Sequence, residues 1–447
     1  WPLLGQMAYQ ADLSKLTNEE ERWVDSVYTS MSFDQQLGQL FMIRAHSDLG
    51  ADHIAGVEKL IRDYHVGGLC FFQGTPEKQL ELTNRYQNQA RLPLMVAMDA
   101  EWGLGMRLPK STISFPKQLA LGAIRDNHLI YEMGKEIARQ LRRLGVHVSF
   151  SPVLDVNNNP NNPVIATRSF GEDRYNVTVK SYNYMKGLQD HGVMACAKHF
   201  PGHGDTDVDS HYDLPVIRHD RARLDSIELY PFRALSRYGI GSFMAAHLAV
   251  PALDERNNRP TSLSRATLTD LLRGEMNFTG LVFTDGLEMK GVTKHFGEGE
   301  VEAESILAGN DVLLLPESTP DAFKAIKRYL EEGKLKPEEI EVKVRRVLLS
   351  KYRLGLRTKQ REEPANIRAE LSTTEAYDLK QRLFEASVTV VRDEQAVLPL
   401  NDLDKNRLAS IRIGVEATTP FTRRLESYAE VIQLKTGVTP TKAEITN

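Results

Sequence analysis

Residues 193–211 read VMACAKHFPGHGDTDVDSH, an apolar run followed at once by a loop rich in histidine and aspartate. The run over 193–200 predicts a short β-strand, and Pro201 with the glycines around it predicts an irregular turn. Residues 198–211, which we name the His loop, contain three histidines, three aspartates and a lysine. A hydrophobic core does not tolerate so many unpaired charges, so the loop is a candidate functional site.

Strand-like runs of the same kind recur along the chain. They predict further strands over 39–45, 66–72, 94–99, 146–156, 241–248, 281–285 and 311–315. Amphipathic helical patterns lie between them, including 53–65, 78–91, 129–145 and 222–239. Alternating strands and helices are typical of parallel βα units, and eight such units fit a (β/α)8 TIM-type barrel. An open, doubly wound sheet is the alternative, because the number of strands does not prove closure.

The predicted fold class is therefore α/β: a (β/α)8 barrel followed by the beginning of a smaller α/β domain. The catalytic barrel, with an N-terminal extension, is predicted over 1–356, a polar linker over 357–370 and a partial second domain over 371–447. Helix and strand patterns fill the last segment over 372–387, 386–400 and 411–417. Because this segment is short for an independent core, we expect the natural protein to continue past Asn447.

The composition excludes several classes of protein. The 447 residues are 41% hydrophobic and 26% charged, as in ordinary globular proteins, and the net charge of −4 gives no sign of nucleic-acid binding. No stretch approaches the roughly 18 uncharged apolar residues of a membrane span. Cys70 and Cys196 lie in apolar runs and are predicted to be buried thiols. The start at Trp1 indicates removed residues, so export or a periplasmic location is expected, with the cytoplasm as alternative. Oligomeric state is left open.

Polar residues stand at the carboxyl ends of five consecutive predicted strands. That end of a (β/α)8 barrel carries the active site, and core packing alone does not explain the clustering. The residues, in chain order, are Asp99, Asp155, Lys198, His199, His247 and Asp285.

The spacing of Asp209 and His211 favours acid–base chemistry. In extended backbone, side chains two residues apart point the same way, so the carboxylate can hydrogen-bond one ring nitrogen and leave the other free. A structural Asp–His pair is the plain alternative. A zinc or iron site is a second one, with ligands taken from His199, His203, Asp205, Asp209 and His211.

Three other segments carry candidate residues. Asp285, in LVFTDGLEM, can act as a nucleophile or simply cap the next helix. Asp99 can accept hydrogen bonds from two neighbouring sugar hydroxyls. Arg107 and Arg168 can bind substrate or form ordinary salt bridges.

Together, AKHFPGHGDTDVDSH and FTDGLEM resemble glycoside hydrolase family 3, in its β-N-acetylglucosaminidase (β-hexosaminidase) branch. The resemblance covers residues from about 30 to 355. It implies that Asp285 is the catalytic nucleophile and that His211, paired with Asp209, is the acid/base. One departure is DAEWG over 99–103, where many members have an acidic residue followed by two glycines. The resemblance further implies that the substrate is bound by Asp99, Arg107, Arg168, Lys198, His199, His247 and Met289.

The activity implied by the resemblance is retaining, exo-acting hydrolysis of terminal β-linked N-acetylglucosamine from oligosaccharides or cell-wall fragments, as in peptidoglycan recycling. It implies a carbohydrate partner and no metal or organic cofactor. Two alternatives keep the same scaffold: a glycoside phosphorylase, since a histidine does not repel phosphate as a carboxylate does, and a metal-dependent hydrolase. A sugar-binding protein without turnover is disfavoured, because nucleophile, acid/base and its partner are all present.

Overall fold

The structure is a computed structural model that describes residues 8–209, 213–294, 296–359, 361–415 and 417–442. The chain forms two compact units, Trp1–Val388 and Thr389–Asn447. In the first unit, eight short strands pair in parallel in one sheet. They are β1 (Phe41–Ala45), β2 (Gly68–Phe71), β3 (Met95–Met98), β4 (Val148–Ser149), β5 (Met194–Phe200), β6 (Ser242–Ala245), β7 (Leu281–Thr284) and β8 (Leu313–Leu314).

The sheet closes into a barrel. Strands β1 to β7 follow one another in space, and β8 lies beside β1. A bridge between Phe283 and Val312 joins β7 to the segment that enters β8, and the Thr284 N–H donates to the Val312 carbonyl at 3.0 Å. The predicted α/β fold with a (β/α)8 barrel is confirmed, and the open-sheet alternative is wrong.

Helices surround the strands. They are α1 (Asn18–Thr29), α2 (Phe33–Gly38), α3 (Ala51–Tyr64), α4 (Pro76–Gln89), α5 (Gln118–Gly122), α6 (His128–Arg143), α7 (Arg174–Asp190), α8 (Arg221–Ser226), α9 (Leu229–Arg237), α10 (Lys290–Thr293), α11 (Glu300–Ala308), α12 (Thr319–Glu331), α13 (Pro337–Arg353), α14 (Ile367–Leu371) and α15 (Thr374–Ser387). Short 3₁₀ helices cover Leu104–Met106, Ala166–Arg168 and Thr261–Leu263, and a π-helix covers Ala266–Glu275.

The helix predicted over 222–239 is two helices, α8 and α9. The break has a local cause in Pro231, which lies in the first turn of α9. Proline lacks an N–H, and its ring clashes with the carbonyl four residues earlier, which here belongs to Ile227. Proline is tolerated in the first turn of a helix, so a new helix begins where the longer one would have continued.

The fourth strand is shorter than the predicted run over 146–156, because Pro152 cannot donate to the strand ladder. The chain beyond it nevertheless stays beside β5, since the Leu154 N–H donates to the Lys198 carbonyl at 2.6 Å. Asp155 is thereby carried to the carboxyl end of β5.

The barrel unit continues through the segment predicted as a linker. Glu370 pairs with Arg143 on α6, and Leu371 and Leu383 are buried. The second unit contains two parallel strands, β9 (Leu408–Ile413) and β10 (Val431–Thr436), with helix α16 (Pro420–Glu426), and the predicted run over 386–400 forms no strand. The domain boundaries at 357 and 371 stay predictions.

The described residues match two expectations from composition. Cys70 and Cys196 are both buried and unpaired thiols. Across the part of the chain that is described, every helix is too short or too polar to cross a lipid bilayer.

Candidate active site

The residues around Asp285 connect the ends of β6 and β7. The Asp285 N–H donates to the Ala245 carbonyl at 2.9 Å, and the Gly286 N–H donates to the Asp285 carboxylate at 2.8 Å. His247 lies with Nε2 3.0 Å from the Gly286 carbonyl and Nδ1 2.7 Å from the Ser262 hydroxyl. Because a carbonyl only accepts hydrogen bonds, Nε2 of His247 carries a proton. His247 therefore holds the turn that presents Asp285.

A network of alternating charges joins the carboxyl ends of β3 and β5. Lys198 Nζ lies 2.7 Å from a carboxylate oxygen of Asp99 and 2.9 Å from one of Glu101. Arg107 pairs with the other oxygen of Asp99. Arg168 donates two hydrogen bonds to Glu101, at 2.7 and 3.0 Å. Four of the residues predicted to bind substrate thus lie in one contiguous cluster, with Glu101 at its buried side.

Asp155 orients His199. One carboxylate oxygen of Asp155 lies 2.7 Å from Nδ1 of His199, and the other accepts the backbone N–H groups of His199 and His203, at 3.2 and 2.7 Å. A ring nitrogen that faces a carboxylate carries the proton, so Nε2 of His199 is left for the cluster, where it lies 3.4 Å from Arg168. Asp155 therefore fixes both the ring orientation of His199 and the backbone path into the His loop.

Asp285 is positioned to be ionised. Burial alone would raise the pKa of its carboxyl group, but the imidazoles of His199 and His247, the Gly286 N–H and the Lys198 ammonium outweigh burial and lower that pKa. The same balance acts at Glu101, where burial opposes the cations of Arg168 and Lys198, and the pKa falls to about 2. These carboxylates are charged at neutral pH.

The first part of the His loop packs closely on the chain after β4. A Cβ added to Gly204 would lie 1.9 Å from the Val156 carbonyl oxygen, so a larger residue does not fit there. Asp209 is half-buried, and its carbonyl accepts from the Asp213 N–H at 3.1 Å. His211 lies outside the described residues.

Met289 is half-buried and its N–H donates to the Gly286 carbonyl at 3.1 Å, so it lies on the turn that follows Asp285.

The predicted metal ligands of the His loop are largely engaged with protein groups. Nδ1 of His199 faces Asp155, and Nδ1 of His203 lies 2.9 Å from the Thr206 hydroxyl. Burial and the neighbouring His199 lower the pKa of His203 to about 4, so its imidazole is neutral.

One predicted ligand, Asp205, belongs instead to a group with His219 and Glu228, which is the one among the described residues whose ligand atoms could converge on a cation. The Arg223 guanidinium pairs with Glu228 and lies 3.8 Å from Asp205. A positive charge from the protein is therefore already present between these carboxylates.

The Glycosyl hydrolase family 3 N terminal domain profile matches residues 32–349. This chain belongs to glycosyl hydrolase family 3. Its relatives include Beta-hexosaminidase A of Pseudoalteromonas piscicida, 32% identical over 380 residues, which are 77% of this chain and 62% of that protein. Beta-hexosaminidase LpqI of Mycobacterium tuberculosis is 32% identical over 328 residues, which are 71% of this chain and 82% of that protein.

A solved structure of similar fold comes from the same family. The glycoside hydrolase family 3 β-N-acetylglucosaminidase of Paenibacillus sp. str. FPU-7 has a TM-score of 0.80 and 33% sequence identity, and the match covers 93% of this chain and 82% of that one. The resemblance read from the His loop and the FTDGLEM segment is thus confirmed at the level of the family.

Two residues of this family 3 site were not assigned a role from the sequence. Glu101 stands two positions after Asp99, and side chains with this spacing lie on the same side of extended backbone. This spacing is the feature of the sequence that could have placed Glu101 beside Asp99. Asp155 ends the fourth predicted strand, yet its partner His199 lies 44 positions further along the chain. Trp102, which departs from the family pattern, is half-buried with Lys117 Nζ 5.1 Å from its ring centre.

Proposed function

We propose that this chain is a retaining, exo-acting β-N-acetylglucosaminidase, which removes terminal β-linked N-acetylglucosamine from oligosaccharides or cell-wall fragments. The observation that carries the proposal is the position of Asp285 directly after β7, where the Gly286 N–H donates to its carboxylate and the charges of His199 and Lys198 help to lower the pKa of its carboxyl group. The names of the relatives, β-hexosaminidase and β-N-acetylglucosaminidase, support the choice of sugar.

The proposed reaction has two displacements. Asp285 attacks the anomeric carbon, the glycosidic C–O bond breaks, and His211 gives its proton to the departing oxygen. A covalent glycosyl ester remains on Asp285. His211, now neutral, takes a proton from water, and that water displaces Asp285. Two inversions give net retention of the anomeric configuration.

In this proposal the cluster around Asp99 binds the terminal sugar. Asp99 is the accepting group for sugar hydroxyls, while Arg107, Arg168 and Lys198 donate to sugar oxygens. The three cations are paired with the carboxylates of Asp99 and Glu101, and the carboxylate of Asp285 offsets the remaining positive charge, so the pocket carries little net charge. Such a pocket fits a neutral sugar, and its polar groups penalise an analogue that lacks a matching hydroxyl or amide.

A comparison of two aryl glycosides tests which sugar the enzyme prefers and whether water or phosphate accepts the glycosyl group. We expect the aryl N-acetyl-β-glucosaminide to be hydrolysed in phosphate-free buffer, to free N-acetylglucosamine, and much faster than the aryl β-glucoside. Chromatography of the sugar product with and without added phosphate provides the measurement. Turnover that requires phosphate and yields a sugar 1-phosphate would instead identify a phosphorylase, and preference for the glucoside would contradict the proposed substrate.

Chelation tests the metal-dependent alternative. Dialysis against EDTA is expected to leave the hydrolysis rate unchanged, because a carboxylate nucleophile and an imidazole acid supply the chemistry without a Lewis acid. A zinc-dependent hydrolase dialysed in the same buffer is the control for complete chelation. Loss of activity that added zinc restores would indicate a metal-dependent hydrolase. An Asp205→Asn variant would then show whether the zinc is bound by the group of Asp205, His219 and Glu228.

A further inference from the structure

We infer that Glu101 is a positioning residue, which holds Arg168 and Lys198 in the orientation that binds the terminal sugar. The inference rests on the proposed function, because these two cations are assigned to sugar binding there. Its basis is the juxtaposition of one buried carboxylate with two cations from distant parts of the chain: Arg168 follows β4, and Lys198 lies in β5.

The contacts of the Glu101 carboxylate fix the position of Arg168. One carboxylate oxygen accepts from Arg168 at 2.7 Å and forms an ion pair with the Lys198 ammonium at 2.9 Å, and the other accepts from Nε of Arg168 at 3.0 Å. The fork of a guanidinium bonded twice to one carboxylate leaves little freedom to rotate. Arg168 is thereby fixed in plane as well as in position.

The main chain at Glu101 is fixed from two helices. Its carbonyl oxygen accepts from the Gln118 side chain of α5 at 2.7 Å and from the Tyr184 hydroxyl of α7 at 3.0 Å. The Tyr184 hydroxyl also lies 2.8 Å from the Ala100 carbonyl. The carboxylate therefore projects from backbone that is tied to the outer helices.

Exposure separates Glu101 from the groups that can touch a ligand. The Glu101 side chain is 0% exposed and that of Lys198 is 3% exposed, whereas those of Asp99 and Arg168 are 13% and 21% exposed, so Arg168 is the more open of the two cations that Glu101 holds. Glu101 lies behind the cations and acts through them. Asp99 cannot take over this role, because its two oxygens already receive Lys198 and Arg107.

The test is Glu101→Gln, which keeps the shape of the side chain and removes its charge. The NH₂ group of glutamine cannot accept a hydrogen bond. One of the two hydrogen bonds from Arg168 to residue 101 is therefore lost, and the guanidinium of Arg168 is no longer held in plane. Loss of one hydrogen bond to a charged group typically changes an equilibrium constant by about 10- to 100-fold, so we expect the inhibition constant for free N-acetylglucosamine and the KM to rise by that order. The loss should be the same for all leaving groups, because proton transfer is untouched.

The matched control is Glu136→Gln. Glu136 forms a similar double hydrogen bond, to Arg139 at 2.6 and 2.8 Å, but on the outer helix α6. Sugar affinity should not change in that variant. Should Glu101→Gln fail to fold, Glu101→Asp keeps the charge but shortens the side chain, so the double hydrogen bond to Arg168 is broken. That variant should raise the inhibition constant for N-acetylglucosamine in the same range.

Three results would overturn the inference. The first is unchanged sugar affinity with a lower melting temperature, which would make Glu101 purely structural. The second is a loss that grows with the pKa of the leaving group, which would place Glu101 in proton transfer. The third is a folded Glu101→Asp variant with normal sugar affinity. If the wild-type chain hydrolyses no N-acetylglucosaminide, the proposed function fails first, independently of the variants.

Discussion

Replacement of Asp285 by alanine should lower kcat for N-acetylglucosaminides by about 10⁴-fold or more, the range seen when a residue of a covalent mechanism is removed. The loss is expected to be large because no nearby carboxylate of the cluster can replace Asp285. Asp99 and Glu101 are the nearby carboxylates of the cluster, and both are already paired with cations. They therefore cannot supply a free nucleophile when Asp285 is absent.

The measurement for Asp285→Ala is steady-state hydrolysis of an activated aryl N-acetylglucosaminide, with the melting temperature as the control for folding. Asp285 bonds through its side chain to the N–H of Gly286, so the truncation removes a local hydrogen bond and leaves the barrel core in place. A folded variant that keeps more than about 1% of the wild-type rate would contradict the assignment of Asp285 as nucleophile.

Replacement of His211 by alanine should have an effect that depends on the leaving group. A sugar alkoxide needs a proton to depart, whereas a dinitrophenolate departs without one. General acid–base assistance is typically worth about 10²–10⁴-fold, so cleavage of a disaccharide should fall by that order. Formation of the glycosyl-enzyme from a dinitrophenyl glycoside should be nearly unchanged.

The same variant should also be slow in the second displacement, because water then lacks its base. The covalent intermediate should accumulate as a burst of dinitrophenol, and azide, which needs no base, should restore turnover. Asp209→Ala should show a weaker form of this pattern, since in the proposed dyad Asp209 orients the imidazole and favours its protonated form but transfers no proton itself. An equal loss for all leaving groups would mean that His211 binds substrate or is structural.

The sequence predicted the barrel well for a physical reason. Each strand is a short apolar run bounded by polar residues, and parallel strands buried on both faces keep that signature without alternation. Polar residues at the carboxyl ends of such runs had to meet on one edge, as Lys198 and Asp99 do. The ends of the elements were less predictable, because they depend on single residues, such as Pro231 in the first turn of α9.

The residues behind the predicted site depend on long-range contacts. Glu101 meets Arg168 at a separation of 67 positions, and Asp155 meets His199 at a separation of 44. Each pairing exists only once the sheet has formed. The sequence places Asp155 at the active-site edge, but it indicates neither the partner of Asp155 nor that of Glu101. Leu371 and Leu383 are buried in the first compact unit, which extends to Val388, a placement that the polar run predicted as a linker over 357–370 does not indicate.

The central claim is a covalent intermediate on Asp285, and trapping it is the most direct measurement. The wild-type chain is incubated with a 5-fluoro N-acetylglucosaminyl fluoride, whose electron-poor ring slows hydrolysis of the intermediate, then digested and analysed by tandem mass spectrometry. We predict one added fluorosugar, located on Asp285 in the FTDGLEM peptide, and its loss when an acceptor is supplied. A label on any other residue, or full inactivation without a covalent adduct, would contradict the mechanism.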